Sequence, residues 1–355
     1  MKGFGIIKPL EQVGWIEKDA PVAGPYEAVL EPVALIPCTS DVDTAAENPR
    51  APVGRILGHE GVGRIVAVGS EVKDFAPGDI VAVPAVTPEW RNLEIQDCNH
   101  QHAGGYLGSR YLSSKWDGMF AERFKVPDVD LNVARVPEGV SLEAAALVGD
   151  MVTTGFHGVE LADVKYGDRV VVIGIGPVGL MSVAGAALRG AAEIYCVGHR
   201  PITRKLAMEY GATATVDYKD GSIVDQIMEL TGGQQVEKVI IAGGEPTVFN
   251  DALALCKFTG IVANLAGHGR TELLLPIYTQ EAGFGFCAHK TVTGGLCPGG
   301  RRRLERLMAM VKCGRFQPEK LITHKFYGFD SIEDAFNLMK SKSPEVVKPI
   351  IYCDK

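Results

Sequence analysis

The chain has 355 residues, of which 46% are hydrophobic and 22% are charged, and this composition is typical of a soluble globular protein. Its length predicts about two domains. The net charge of −7 at pH 7 provides no overall attraction to nucleic acid or to an anionic membrane, so neither is expected as a partner.

The apolar stretch near the N-terminus is interrupted by Lys8, Pro9 and Glu11, unlike the continuous apolar segment of a signal peptide. No segment has the roughly 18 consecutive apolar residues that a membrane-spanning helix needs. The eight cysteines are scattered, without a Cys-x-x-Cys pair or a disulfide framework. We therefore predict a cytoplasmic protein in which most cysteines are buried.

Short apolar segments separated by Gly and Pro occupy the first 150 residues, and they predict strands at 27–35, 61–68 and 79–83. From Arg169 onward, apolar strands alternate with helical segments, which is typical of parallel βαβ units. The fully apolar run 170–173 suits a sheet that is covered by helices on both faces.

This alternation ends near Gly295, and a helix follows with Leu304, Leu307, Met308 and Val311 on one side. The tail then returns to short strands. The pattern predicts an α/β protein with a doubly wound parallel sheet domain of the Rossmann type and a second, mainly β domain. Residues 153–295 would form the Rossmann-type domain, inserted between 1–152 and 296–355 of the mainly β domain.

A glycine motif of the form G-x-G-x-x-G follows a strong strand pattern and precedes a strong helix pattern, which is the context of a dinucleotide site. Its residues are Gly174, Ile175, Gly176, Pro177, Val178 and Gly179. The first glycine permits a tight turn, the second permits close approach of pyrophosphate to the backbone, and the third permits close helix packing. The helix N-terminus also faces the negative charge of the cofactor.

The segment after the second predicted strand reads Gly198-His199-Arg200, where an NAD site usually carries Asp or Glu. Without that acid, a 2′-phosphate is not repelled, and the planar guanidinium of Arg200 suits it as a donor. These residues favour NADP(H), with Tyr218 as a further predicted cofactor contact. Alternatively, Arg200 only caps or solvates the strand end.

A second set of motifs covers most of the chain. Cys38-Thr39-Ser40-Asp41 precedes a G-H-E-x-x-G-x-x-x-x-x-G motif that begins at Gly58, and related motifs occupy 149–158, 242–244 and 294–300. With the dinucleotide motif, they make the chain similar to the zinc-dependent medium-chain dehydrogenases, particularly the microbial NADP-dependent secondary alcohol dehydrogenases. The resemblance implies that the mainly β domain is GroES-like.

The resemblance also implies a catalytic zinc with Cys38, His59 and Asp150 as ligands and Glu60 as an exchanging fourth ligand. Three protein ligands and one exchangeable position are usual for a catalytic zinc. Asp41 would orient the His59 ring, since a carboxylate commonly accepts the second N–H of a ligating histidine. Taken singly, each of these residues is also compatible with a purely structural role.

A second metal is not predicted. One Cys at 98 and two histidines, His100 and His102, form a weak pattern, and the four-cysteine structural zinc lobe of the family is absent from the sequence. We therefore predict one zinc per subunit.

By resemblance, Ser40 hydrogen-bonds the substrate oxygen and begins a proton relay, and Thr154 lies near the nicotinamide. Relatives have a histidine at the far end of this relay, where the chain has Asp43, which is either a relay carboxylate or a solvated acid. The predicted substrate pocket consists of Ser40, Ala85, Val86, Arg110, Leu296 and Cys297.

The predicted function is hydride transfer between NADP(H) and a secondary alcohol or ketone, with Ser40, His59 and Asp150 at the catalytic centre. A bulkier ketone such as a hydroxysteroid, or a polyol, would require the same chemistry. The sequence is also compatible with a zinc-free reductase of the superfamily or with a nonenzymatic NADPH-binding protein. The resemblance further implies a homotetramer.

Overall fold

The computed structural model describes residues 1–47, 51–97, 100–106, 116–268, 272–273 and 289–354. The chain divides into two units, one formed by Met1–Thr153 with Cys297–Lys355 and the other by Thr154–Leu296. The predicted pocket residue Arg110 lies outside the described residues.

The strands of the described residues alternate with helices mainly in the second unit. In chain order they are β1 (Lys2–Lys8), β2 (Gln12–Glu17), β3 (Ala28–Ile36), β4 (Glu60–Val68), β5 (Ile80–Val83), β6 (Val86–Pro88), β7 (Gly104–Tyr106), β8 (Phe124–Val126), β9 (Ala134–Arg135), β10 (Arg169–Ile173), β11 (Glu193–Val197), β12 (Ala214–Val216), β13 (Val236–Ile241), β14 (Cys256–Asn264), β15 (Thr291–Gly294), β16 (Ile322–Tyr327) and β17 (Lys348–Tyr352).

The α-helices are short, and none within the described residues combines the length and apolar character that crossing a membrane requires. They are α1 (Thr39–Glu47), α2 (Val129–Asn132), α3 (Leu142–Leu147), α4 (Thr153–Leu161), α5 (Pro177–Leu188), α6 (Pro201–Glu209), α7 (Ile223–Leu230), α8 (Val248–Leu255), α9 (Arg301–Lys312) and α10 (Ile332–Lys340). The helix predicted after Gly295 corresponds to α9, on which Leu304, Leu307 and Met308 are buried.

A seven-stranded sheet organises the first unit. Its strand order is β16-β17-β3-β4-β5-β9, and β8 pairs with β3. The three strands predicted in the first 150 residues correspond to β3, β4 and β5, which pair antiparallel in that order. Aromatic side chains such as Phe4, Phe120, Phe124 and Phe336 fill the core of this unit. The C-terminal strand β17 lies beside β3, so the end of the chain is built into the same sheet.

Three helical segments follow one another in the chain after β9. Ser141 caps α3 by accepting a hydrogen bond from the Ala144 N–H. Between α3 and α4, residues Val148–Val152 form a π-helical turn. An inserted π turn widens a helix by one residue and often occurs at functional sites because it redirects a side chain. Asp150 lies within this turn.

The second unit contains a six-stranded parallel sheet with the order β12-β11-β10-β13-β14-β15. Counted from β10, this order is 3-2-1-4-5-6, the arrangement of the dinucleotide-binding Rossmann fold. Val170, Val171 and Val172 of the central strand β10 are fully buried because helices cover both sheet faces. The predicted α/β fold class is confirmed.

Candidate metal centre and dinucleotide cavity

Four potential metal-ligating side chains converge in the first unit. The ligand atoms of Cys38, His59, Glu60 and Asp150 all lie within 4.8 Å of one another, and all four residues are buried. Cys38 precedes α1, His59 immediately precedes β4, Glu60 is the first residue of β4, and Asp150 lies in the π-helical turn. Residues that are far apart in the sequence therefore meet at one point.

Asp41 fixes the orientation of the His59 ring. Its Oδ1 lies 3.0 Å from His59 Nδ1 and accepts a hydrogen bond from the Gly58 N–H at 3.0 Å. Its Oδ2 accepts one from the Cys38 N–H, also at 3.0 Å. With Nδ1 directed to a carboxylate, Nε2 lies 3.3 Å from Asp150 Oδ2 and is the nitrogen available to a metal.

The backbone before His59 requires glycine. Gly58 has φ of +94°, and a Cβ at this position would lie 2.4 Å from the Phe120 ring. Any other residue would therefore both strain the backbone and clash with the core. This conformation turns the chain directly into β4 with His59 directed into the cluster.

The π-helical turn packs against the end of β5. The Gly149 carbonyl accepts a hydrogen bond from the Ala85 N–H at 2.9 Å, and a Cβ on Gly149 would lie 2.4 Å from the Val83 carbonyl oxygen. Because Gly149 has no side chain, the turn approaches the strand closely. This contact fixes the position of Asp150, the next residue.

The predicted catalytic serine and the predicted substrate-pocket residues differ in solvent exposure. Ser40 Oγ is 3.1 Å from His59 Nε2, so the structure brings this exposed serine to the cluster. Ala85, Val86 and Cys297 are buried in the same unit. Leu296 belongs to the second unit and is half-buried.

Lys348 is a member of this centre that the sequence analysis missed. Its Nζ lies 2.5 Å from Glu60 Oε1 and also donates to the Pro37 carbonyl at 3.2 Å. Both side chains of the ion pair are at most 1% exposed. Lys348 lies in an apolar strand 288 residues from Glu60, and the only local signal was a lysine in a strand that is otherwise apolar.

Burial shifts the protonation of the cluster. Burial raises the pKa of Glu60 to about 7 against the opposing attraction of Lys348, and burial also raises the pKa of the Cys38 thiol. Burial lowers the pKa of His59, but Asp41 and Asp150 oppose this effect, and the net result is a pKa well above the ordinary value. Every shift reduces uncompensated negative charge, as expected for a buried anionic site.

The donor set fits a divalent cation. Deprotonated Cys38, Glu60 and Asp150 outweigh the positive charge of Lys348, and the buried Asp41 carboxylate beside His59 adds further negative charge, so the cluster attracts a divalent cation. Among the described residues, the buried Glu60 Oε2 has no hydrogen-bond partner, and a buried carboxylate oxygen ordinarily has one. A thiolate, an imidazole and carboxylates are all suitable ligands for zinc.

The second unit contains a cavity of about 650 Å³ at the carboxyl ends of its parallel strands. Its lining includes Gly174, Ile175, Gly176, Gly198, His199, Arg200 and Tyr218. The cavity lies beside β10, where the strand order changes direction, and this is the usual ligand position in open α/β sheets. Of the other predicted cofactor residues, Thr154 lies in α4 and Pro177 and Val178 lie in the first turn of α5.

The glycine motif has the geometry that close packing demands. A Cβ on Gly179 would lie 1.9 Å from the Gly174 carbonyl oxygen, so this helix start excludes a side chain. Gly176 precedes α5, and a Cβ there would meet nothing within 4 Å. The N-terminus of α5 is therefore open toward the cavity, where its N–H groups favour an anion.

Asp217 is a second residue that the sequence analysis missed. It follows β12, and its Oδ2 lies 2.7 Å from His199 Nδ1, which follows the neighbouring strand β11. Sequence spacing did not reveal the pair, because Asp217 lies one βα unit beyond the position at which an NAD-binding acid is expected.

The chain is similar to known zinc-binding dehydrogenases along most of its length. Residues 24–138 match the family described as alcohol dehydrogenase GroES-like domain, and residues 177–312 match the family described as zinc-binding dehydrogenase. The chain is 52% identical over 355 residues to an NADP-dependent isopropanol dehydrogenase of Thermoanaerobacter brockii, with 99% of each chain covered. It is 50% identical over 352 residues to the protein of that name from Clostridium beijerinckii, again with 99% of each covered.

Solved structures have the same fold. A zinc-dependent alcohol dehydrogenase from Streptococcus pneumonia in its apo form is 28% identical with a TM-score of 0.87, covering 100% of this chain and 99% of that chain. The alcohol dehydrogenase TADH from Thermus sp. ATN1 has a TM-score of 0.86 at 24% identity, covering 99% of this chain and 100% of that one. The second likeness concerns the fold alone.

Proposed function

The chain belongs to the zinc-binding medium-chain dehydrogenases, and on that basis we propose that it transfers hydride between NADP(H) and a secondary alcohol or ketone. The convergence of Cys38, His59, Glu60 and Asp150 on one buried point is the observation that carries this proposal. Two relatives named as NADP-dependent isopropanol dehydrogenases, at 50% and 52% identity, support the cofactor and the substrate class.

Cys38, His59 and Asp150 would hold one zinc ion per subunit. Bound zinc supplies Lewis acidity at the substrate oxygen, and bound NADP(H) supplies or accepts the hydride. Asp41 keeps the His59 ring in the orientation that presents Nε2, and Lys348 holds Oε1 of Glu60. Because no group in the described part of the chain hydrogen-bonds Glu60 Oε2, Glu60 can serve as the exchanging fourth ligand with that oxygen.

Ser40 would hydrogen-bond the substrate oxygen, since it is an exposed residue whose Oγ lies 3.1 Å from the presented nitrogen of His59. A serine hydroxyl both donates and accepts, so it can pass a proton to or from that oxygen. Ala85, Val86 and Cys297 are proposed as substrate-pocket residues of this unit. The predicted position of Thr154 near the nicotinamide stays a prediction. The predicted pocket roles of Leu296 and Arg110 stay predictions as well.

The preference for NADP(H) rests on the loop after β11. Gly198 stands where an acid would repel a 2′-phosphate, and both His199 and Arg200 line the cavity with Tyr218. The planar guanidinium of Arg200 can donate two parallel hydrogen bonds to phosphate oxygens.

We also propose a cytoplasmic homotetramer. In support, β15 is an edge strand of the six-stranded sheet within the described part of the chain, and Val292 on this strand is 45% exposed. A sheet edge offers unpaired backbone groups to a second chain. Light scattering of the purified protein at several concentrations would test the assembly, and a stable monomer would contradict it.

The function is tested by ketone reduction with NADPH and with NADH, before and after removal of metal by a chelator. We expect removal to reduce the rate by about 1,000-fold or more, because a Lewis acid contributes several kcal/mol to this chemistry. NADPH binding should persist, and added zinc should restore the rate. Metal analysis should give one zinc per subunit.

A matched pair of variants separates the metal centre from general effects on the fold. His59→Asn should lose both zinc and activity, while His324→Asn, which removes a histidine on β16, should retain both. Full ketone reduction by the metal-free protein would refute the zinc mechanism. Tight NADPH binding without any ketone reduction in the zinc-loaded protein would instead favour a nonenzymatic binding protein.

A further inference from the structure

A histidine and an aspartate form a pair at the rim of the dinucleotide cavity. His199 lines the cavity, and Asp217 Oδ2 lies 2.7 Å from its Nδ1. The histidine side chain is 40% exposed and the carboxylate side chain only 9%. The ring therefore has one nitrogen directed to a fixed anion, while its body faces the space that a nucleotide would occupy.

Asp217 is held as an anion by several donors. Its Oδ1 accepts a hydrogen bond from the Lys219 N–H at 2.9 Å, and its Oδ2 lies 3.7 Å from a guanidinium nitrogen of Arg204. The Lys219 N–H is the main cause of a lowered pKa for Asp217; burial opposes it, and the His199 hydrogen bond adds to it. Both carboxylate oxygens are thus engaged, and the acid is not available to ribose hydroxyls as in an NAD site.

The position of the carboxylate determines what the imidazole can do. With Nδ1 beside an anion, the proton of the neutral ring resides on Nδ1, and Nε2 is then only an acceptor. A phosphate oxygen is also an acceptor. Nε2 can donate to a phosphate only when the ring is protonated, and Asp217 stabilises that imidazolium form.

Other charged or titratable groups lie on the segments around the His199 ring. They are Arg200 and Arg204 of the α6 segment, Asp217, Tyr218 and Lys219 after β12, and Glu245 and Asp251 around the rest of the cavity. The Tyr218 ring lies 5.9 Å from the His199 ring. A bound phosphate dianion would add negative charge beside this ring, which favours its protonated form.

We propose that His199, positioned by Asp217, binds the 2′-phosphate of NADP(H) as an imidazolium, so that cofactor binding takes up a proton at this site. The inference rests on the NADP(H) preference proposed above and adds a proton-linked contact to it. Asp217 is a positioning residue, because it acts through His199.

The sign of the pH dependence follows from this linkage. A phosphate that requires the protonated ring therefore binds less tightly as the pH rises. The second ionisation of a phosphate monoester lies near pH ~6 and has little effect at pH ~7.5.

The test uses calorimetric titration of the full-length, zinc-loaded protein with adenosine 2′,5′-bisphosphate and, as control ligand, 5′-AMP. Measurements at pH ~7.5 in two buffers of different ionisation enthalpy give the number of protons taken up. We expect uptake of several tenths of a proton with the bisphosphate and none with 5′-AMP, because only the former carries a 2′-phosphate.

Three variants assign the proton. His199→Gln should abolish the proton uptake and lower the affinity for the bisphosphate by about tenfold, which is the usual effect of losing one charge-assisted hydrogen bond. Asp217→Asn should reduce the uptake although His199 remains. His324→Gln, outside this unit, should behave as the wild type. Unchanged 5′-AMP affinity in each variant shows that the cavity is intact.

The outcomes separate this inference from the proposed function. If the wild type binds the bisphosphate no more tightly than 5′-AMP, the NADP(H) preference fails, and this inference fails with it. If the preference is present but proton uptake is equal in the wild type and His199→Gln, only this inference is overturned. If His199→Gln also loses affinity for 5′-AMP, the cavity of that variant is damaged, and Asp217→Asn provides the test. Proton uptake by Asp217→Asn equal to that of the wild type would then overturn this inference.

Discussion

The metal centre and the rim of the dinucleotide cavity both contain paired charges, but they differ in burial. Glu60 and Lys348 are at most 1% exposed, whereas His199 is 40% exposed and Tyr218 is 55% exposed. In a buried centre every charge must be matched within the protein, because water cannot compensate a missing partner. At the rim, solvent screens each charge, so substitutions there should change ligand selectivity more than stability.

The strongest test of this contrast is Lys348→Met, which leaves Glu60 buried without its counter-ion. Breaking a buried ion pair typically costs about 3–5 kcal/mol, and we expect that loss in denaturant unfolding of the metal-free protein. Lys325→Met is the matched control, because Lys325 pairs with Glu143 with its side chain 52% exposed. The control should change stability by less than about 1 kcal/mol. Equal losses in both variants would contradict the contrast.

At the rim, Arg200→Asp should change cofactor choice. Reversing the charge removes a phosphate donor and introduces repulsion, so we expect kcat/KM with NADPH to fall about 100-fold. The value with NADH should change little, because NADH has no 2′-phosphate. Steady-state kinetics with both cofactors measure the ratio, and the unfolding free energy should stay near that of the wild type. Similar losses with NADPH and NADH would argue against the assigned role of Arg200.

Asp41→Asn tests whether the hydrogen bond to His59 Nδ1 prepares the metal site. Loss of such a carboxylate partner commonly lowers metal affinity by about 10–100-fold, and competition with a coloured chelator measures it. Asp43→Asn, two residues along α1, should keep zinc affinity unchanged because Asp43 is not among the clustered donors. An unaltered affinity in Asp41→Asn would show that the ring is held by other contacts.

The smallest expected effect concerns Glu237, an ion-paired residue of the second unit outside both sites. Burial raises its pKa, but hydrogen bonds from Lys257 and the Arg169 N–H oppose this and bring the pKa to about 2. Its stabilisation is therefore complete above about pH 4.3, the ordinary glutamate value, and is lost as the pH falls toward about 2.

Glu237→Gln should accordingly lower the unfolding free energy by about 1 kcal/mol at pH ~7, after allowance for screening by solvent. The difference from the wild type should shrink between pH ~4.5 and pH ~2. Glu229→Gln, on the exposed side of α7, should show no such dependence. A difference that persists at the acid end would mean that Glu237 acts through packing rather than charge.

The sequence alone determined the features whose physics is local or whose residues occur in recognisable order. The glycine motif predicted the β10–α5 turn because its spacing meets steric demands within six residues, such as the close approach of Gly179 to the Gly174 carbonyl. Alternating apolar strands and helices predicted the parallel sheet. The ordered motifs around Cys38, His59 and Asp150 indicated the family, since no single residue among them was specific.

The tertiary structure decided which partners hold those residues. Lys348 reaches Glu60 across 288 residues, Asp217 reaches His199 from a neighbouring strand, and the π-helical turn determines where Asp150 lies. None of these has a sequence signature, because strand neighbours and helix widening depend on packing between distant segments. The sequence predicted most of the metal-ligating and cofactor-binding residues. The charged partners that position them are brought into contact only by the folded chain.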